Sequence, residues 1–187
     1  MKFTYKTRNS TNNNNNSNNN SNIRQKINEP SSVPVKNQMI WGNATWTFFH
    51  TLCHKIKEPY FNKLRQPLLD YIVKICNYLP CPICTTHAKQ YLNNVNFNTI
   101  QTKKDLKDML FHFHNNVNSK KSFQQFPYNK VDPLYESANL ISAFNFFRVN
   151  YTVRMFNVKS VIVNNNRNEV INSLQTWLRD NIQYFNS

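Results

Sequence analysis

Tyr78-Leu79-Pro80-Cys81-Pro82-Ile83-Cys84 separates two apolar periodicities and holds two of the chain's four cysteines. Before it, Leu68, Ile72, Ile75, Cys76 and Leu79 recur at helical spacing. They predict a helix over about 67–79, which Pro80 ends because the residue before a proline avoids the α region. After it, Cys84, His87, Ala88 and Tyr91 share one face of a helix running from the Cys81 turn to about Asn93. Two cysteines three apart at a helix N-terminus can close a small disulfide ring. The helix dipole and the free N–H groups there also lower a thiol's pKa. This is the geometry of a redox-active dithiol.

Upstream, Trp46, Phe49, His50 and Cys53 fall at i, i+3, i+4 and i+7, predicting a first helix over about 43–56. Pro59 and Pro67 bracket a segment leading into the second. Downstream, 94–101 reads as a loop, and Thr102 with Asp105 reads as a capping arrangement. The fourth helix, about 103–118, carries Leu106, Met109, Leu110, Phe113 and Val117 on its apolar stripe. Asp132-Pro133 supplies an N-cap and first-turn signal for a fifth helix continuing to about 149. Residues 151–163 are β-branched and alternate weakly, as a strand or extended arm would. Asn164 to Asn166 read as a turn. Asn168 to Phe185 read as an amphipathic helix with Val170, Ile171, Leu174, Trp177, Leu178 and Ile182 on one side. The fold class is all-α, with 138–187 as a C-terminal extension. Residues 1–38 read as a disordered, Asn-rich basic tail. Residues 11–22 are only Thr, Asn and Ser, and such a segment cannot bury enough apolar surface to offset its ordering entropy.

The length of 187 residues fits one domain. Glycine occurs once, at Gly42, so neither a G-x-G-x-x-G nor a Walker A phosphate loop can be written. Lys and Arg outnumber Asp and Glu by 23 to 9, a net charge of +14, of which the tail holds +5. The basic residues form no stripe interleaved with stacking aromatics, so no nucleic-acid partner is expected, and the charge suits an acidic thiol partner instead. No apolar run reaches the roughly 20 residues of a transmembrane helix, and the N-terminus lacks the apolar region of a secretory signal. Four cysteines in such a chain point to metal or redox chemistry rather than structural staples. A zinc site of Cys81, Cys84, His112 and His114 is the alternative, although residues two apart on a helix point in roughly opposite directions. Cys53 and Cys76 lie on inward faces and read as inert thiols; the alternative is that one of them exchanges with Cys81.

Three segments together resemble the Erv/ALR family of FAD-linked thiol oxidases. They are Gly42-Asn43-Ala44-Thr45-Trp46-Thr47-Phe48-Phe49-His50, Tyr78 to Cys84, and His112-Phe113-His114-Asn115-Asn116-Val117-Asn118, in the family's order and spacing. The resemblance covers 39–137. It implies a four-helix bundle that binds FAD at its mouth, a short fifth helix and a homodimer. It also implies catalysis by Cys81 and Cys84, with Cys84 beside the flavin and Cys81 taking electrons from outside. Gly42, Trp46, His50, His114, Asn115, Val117 and Asn118 would hold the cofactor, with Lys120 and Lys121 near its phosphates. Oxygen would accept the electrons as hydrogen peroxide. The Trp41 to Trp46 opening is most similar to versions in large cytoplasmic DNA viruses, which implies a host cytoplasmic factory or the virion as the place of action. The sequence departs from the pattern in three ways. Asn43 stands for the usual arginine. Phe123 stands for a second lysine, for which Lys121 can compensate. No second cysteine pair lies outside the helices, so electrons are expected directly from a thiol-containing protein, such as a thioredoxin-like carrier.

Overall fold

From Ala44 onward, helix α1 (Val35–Lys55) is buried on most sides. In this computed structural model the described residues are 35–152 and 160–186. The expected basic tail before residue 35 and the centre of the expected 151–163 arm lie outside them. The sequence shows α1 one apolar face and a start near 43; the helix instead begins by Val35 and has two faces. One carries Phe49, His50 and Cys53 toward α4 (Lys103–Lys120) and α5 (Val131–Tyr135). The other carries Ala44 and Phe48 against α6 (Leu140–Tyr151), the most extensive helix pairing among the described residues. There Phe48 stacks on Phe147 at 4.9 Å between ring centres, with Phe144 at 5.7 Å. Burying one such aromatic side chain is worth about 2–3 kcal/mol.

Helix α2 (Phe61–Asn77) starts six residues earlier than expected, and Pro67 lies inside it. Proline removes one helical hydrogen bond and crowds the preceding turn. Burial of Phe61, Leu64 and Leu68 carries the helix through that defect. Pro59 sits in a separate 3-10 turn, Glu58–Tyr60. Helix α3 (Pro82–Asn93) begins where the cysteine spacing puts it. The cap of α4 is a full capping box: Asp105 N–H donates to Thr102 Oγ1 at 3.1 Å, and Thr102 N–H donates to Asp105 Oδ2 at 2.8 Å.

The expected long fifth helix is two helices. Residues 136–139 break it, and Asn139 caps α6 by accepting from Ser142 N–H at 2.9 Å. Asp132 is not a cap. Its carboxylate accepts from His54 Nε2 at 2.7 Å and pairs with Lys107, tying α5 to α1 and α4. Helix α7 (Ser160–Asn181) absorbs both the end of the expected arm and the expected Asn164–Asn166 turn. Local asparagine preference is weak, and burial of Arg167, Val170, Ile171, Leu174 and Leu178 overrides it. Ile182, expected inward, is 42% exposed, and Phe185 is buried instead. No strand occurs among the described residues. One antiparallel bridge joins Ile56 to Phe185, where Lys57 N–H donates to the Tyr184 carbonyl at 2.9 Å.

The end of α2 is fixed from the C-terminal side. The Ile75 carbonyl accepts from Tyr78 N–H at 3.1 Å and from the buried Tyr151 hydroxyl at 3.0 Å. Close to Tyr151 lies Arg167, 1% exposed, whose Nη2 donates to Asn164 while Nε and Nη1 have no hydrogen-bond partner among the described residues. A buried cation without a carboxylate is costly. Arg167→Met, similar in volume, is therefore expected to raise stability by about 1 kcal/mol or more, read as a higher urea midpoint at unchanged slope. A lower midpoint would show that the guanidinium is compensated.

Candidate functional site

Cys81 occupies the N-cap of α3 and Pro82 its first helical position, where proline's missing N–H has no partner to lose. Cys81 and Cys84 are joined by a disulfide, with Cα atoms 5.1 Å apart. Cys84 N–H donates to Cys81 Sγ at 3.2 Å. Pro82 and Ile83, between the two, are exposed, Ile83 by 69%. Cys84 lines a cavity and Cys81 does not. Trp41, Gly42, Thr45, Trp46 and Phe49 of α1 form one wall; Cys76, Leu79, His87, Ala88, Phe113 and Val117 close the rest. Lys120 and Lys121 stand at its edge, and Lys121 Nζ lies 5.9 Å from the Trp41 ring centre. At Gly42, the lone glycine, an added Cβ would meet nothing within 4 Å, so the wall is open there. The indole N–H of Trp41 is buried without an acceptor among the described residues.

Behind this wall the aromatic rings are layered. Trp46 stacks on His114 at 4.3 Å and 10°, and meets Phe113 edge-on at 5.1 Å. His50 Nε2 and His114 Nδ1 are 3.2 Å apart, so one donates and the other accepts. His50 stacks on Tyr135 at 4.7 Å, and His54 Nδ1 donates to the His50 carbonyl at 2.7 Å. The side chains of Asn115 and Asn118 hold a loop. Asn115 Nδ2 donates to the Phe126 carbonyl at 3.0 Å, Phe126 N–H donates back to Asn115 Oδ1 at 2.8 Å, and Asn118 Nδ2 reaches the Gln124 carbonyl at 3.4 Å. That loop leaves α4 through Ser122, whose φ of 55° is left-handed. Phe123 N–H donates to the Asn118 carbonyl and Ser122 N–H to that of Ser119, the Schellman pattern that usually places glycine at this point.

Of the residues singled out from sequence, Gly42, Trp46, Val117, Lys120, Lys121 and Cys84 meet in the cavity lining. His50 and His114 lie behind Trp46, and Asn115 and Asn118 act on the loop. Sequence reasoning left out Thr45, Cys76, Phe113 and Tyr135 as site residues. Thr45 and Phe113 sit one helical step from motif positions. Tyr135 reaches His50 from another helix, and no local pattern announces that. No zinc set assembles: the two sulfurs are bonded to each other, His112 is exposed while His114 is half-buried, and no group of three or more potential ligands occurs among the described residues. Cys53 and Cys76 are free and buried. Burial pushes the Cys53 thiol up to about 12 and Cys76 higher still.

A model described as the Erv1 / Alr family matches residues 43–136. The chain is 28% identical over 106 residues to the FAD-linked sulfhydryl oxidase ERV1 of Arabidopsis thaliana, covering 57% of this chain and 54% of that protein. It is 29% identical over 82 residues to 096R of Invertebrate iridescent virus 3, covering 43% and 55%. To a FAD-linked sulfhydryl oxidase of African swine fever virus it is 27% identical over 100 residues, covering 54% and 83%. The chain thus spans about half the length of the first two relatives. No solved structure matches it significantly.

The paired imidazoles make stability depend on pH. Burial, then the neighbouring His114 and His54, push His50 well below its ordinary value; burial pushes His114 down to about 4. Unfolded imidazoles titrate near 6.5. Between about 6.5 and 4 the unfolded chain therefore binds protons that the folded chain refuses, so stability is full above that window and lost as pH falls. A depression the size of that at His114 corresponds to about 3 kcal/mol. Urea unfolding of the cofactor-free protein at pH 7, 6 and 5 is expected to show a falling free energy, flattened in His114→Gln. A pH-independent midpoint would mean the rings are charged when folded. Separately, Ser122→Gly is expected to add about 1 kcal/mol by relieving the left-handed φ; a loss in the same assay would contradict it.

Proposed function

The chain belongs to the Erv1 / Alr family, and from that premise we propose that it is an FAD-dependent thiol oxidase that forms disulfide bonds in protein substrates. The observation that carries this reading is the placement of one disulfide across two environments: Cys84 in the cavity lining, Cys81 outside it at the N-terminus of α3. The cavity suits FAD on its own chemistry. Its walls are aromatic and largely apolar, a buried indole donor lacks an acceptor among the described residues, and two lysines stand at its edge for phosphates. Gly42, Trp46, Val117, Lys120 and Lys121 would hold the cofactor directly. His50 and His114 would back the Trp46 ring, and Asn115 and Asn118 would fix the loop beside it.

A substrate thiolate attacks Cys81 Sγ, the sulfur outside the cavity. The bond between Cys81 and Cys84 breaks, a mixed disulfide forms, and Cys84 leaves as a thiolate into the cavity. The substrate's second thiolate then attacks its own half of the mixed disulfide. The substrate departs oxidised by two electrons, and Cys81 is released as a thiolate. The Cys84 N–H and the free amides of α3 stabilise that charge. FAD, when bound, supplies a two-electron acceptor for the cysteine pair that dioxygen reoxidises, releasing hydrogen peroxide. The deeply buried Cys53 and Cys76 take no part, because their raised pKa values leave almost no thiolate at neutral pH.

The purified protein is expected to take up FAD, turn yellow and consume oxygen when given dithiothreitol. Cys81→Ser and Cys84→Ser should each lower turnover by about 100-fold or more while the flavin absorbance is retained. A colourless, folded protein that takes up no FAD would refute the reading. Replacing Cys53 and Cys76 together by serine should leave dithiothreitol oxidation within about twofold. A collapse of turnover with flavin still bound would show instead that one of them relays electrons.

A further inference from the structure

Around the disulfide the chain is one-signed. Between Asp70 and Asp105 lie 34 residues without a single carboxylate side chain, and they include Lys74, Lys89, Lys103 and Lys104. Lys104 is paired with Asp108. Lys74, Lys89, Lys120 and Lys121 have no carboxylate partner among the described residues. Lys74 is exposed one turn before the end of α2, its ammonium over the Tyr71 ring. Lys89 is exposed on α3, two turns beyond the cysteines and on the same side as Pro82 and Thr86. Lys120 and Lys121, at the edge of the cavity that Cys84 lines, are taken by the cofactor's phosphates in the proposed function, which leaves Lys74 and Lys89 as the docking cations. Elsewhere carboxylates do neutralise lysines, as Asp132 does Lys107. Between the two bonded cysteines in the chain, Ile83 offers an exposed apolar side chain.

We infer that this face is the docking surface for the protein dithiol, and that its occupant is an acidic polypeptide with carboxylates flanking its cysteine pair and an apolar residue to meet Ile83. The inference rests on the thiol-oxidase reading and names the kind of substrate that reading leaves open. An attacking thiolate is itself an anion, and flanking carboxylates add to its attraction. Unpaired lysines raise the encounter rate of such a partner over long range. The range is set by salt: the Debye length is about 30 Å at 0.01 M and about 10 Å at 0.1 M. A small neutral dithiol feels little of this field, so it reports the chemistry apart from the docking.

The test uses the full-length, FAD-loaded protein and three peptides of equal length. They share one two-cysteine core, flanked by Glu, Ser or Lys, with dithiothreitol as the reference. Rates are compared per thiolate, because acidic flanks raise a peptide's own thiol pKa. At about 10 mM ionic strength kcat/KM for the acidic peptide is expected to exceed that of the neutral one by about tenfold or more, and the advantage to shrink to within about threefold at about 0.5 M. The double variant Lys74→Glu, Lys89→Glu should remove most of the advantage while dithiothreitol turnover stays within about twofold. Equal rates for the three peptides at low salt, with dithiothreitol turnover intact, would overturn the docking inference alone. So would an oligonucleotide that binds this face while the acidic peptide does not, which would assign it to nucleic acid. Absent dithiothreitol turnover in flavin-loaded protein would defeat the thiol-oxidase reading and this inference with it.

Discussion

One covalent bond with its two ends in different surroundings is the constraint the molecule is built around. For Cys84 to face the cavity while Cys81 stays outside it, α3 must begin at one point and one angle. Pro80 and Pro82 fix where α2 can end and α3 can begin. Leu79 is buried just ahead of the pair. The last turn of α2 is closed by Tyr78 and held from outside by the Tyr151 hydroxyl, both on the Ile75 carbonyl. A carbonyl that accepts two bonds has little freedom to tilt, so the segment that follows it inherits a defined direction.

The aromatic layer behind the cavity wall is held by polar groups as much as by apolar ones. His50 and His114 share a single hydrogen bond in a place where neither ring is readily protonated. A neutral pair costs less to bury than a charged one, and it leaves the face of Trp46 free to stack. The second row, His54 with Asp132 and Lys107, carries the charge further back and joins three helices. Asn115 and Asn118 extend the same logic to the loop after α4, where side-chain amides take the place of a sheet or helix partner for exposed backbone.

Much of this could be read from the sequence, because much of it is local. The start of α3, the capping box of α4 and the inward stripe of α2 depend on neighbours within one or two turns, and they appear as anticipated. What could not be read depends on partners far along the chain. Phe48 gains a second buried face for α1 only because Phe144 and Phe147 arrive from α6. Pro67 signals a boundary locally, but the core contacts of Phe61 and Leu64 overrule it. Asp132 has the residue type and position of a cap, yet His54 and Lys107 claim its carboxylate. In the site, Gly42 and Trp46 of α1, Cys84 of α3 and Val117 of α4 line one cavity, whereas Tyr135 enters from a loop-connected helix without any periodic signature.

Pairing of α6 with α1 bears on modularity. Phe48 and Ala44 lie inside a core whose other half is Leu140, Phe144 and Phe147, and Ile75 has a donor at Tyr151. A cut after residue 137 would pass through one packed interior rather than between two. A relative without a counterpart of α6 must therefore clothe that side of its first helix differently, with polar residues or with another chain. Grafting its first helix into this protein would not be a neutral exchange.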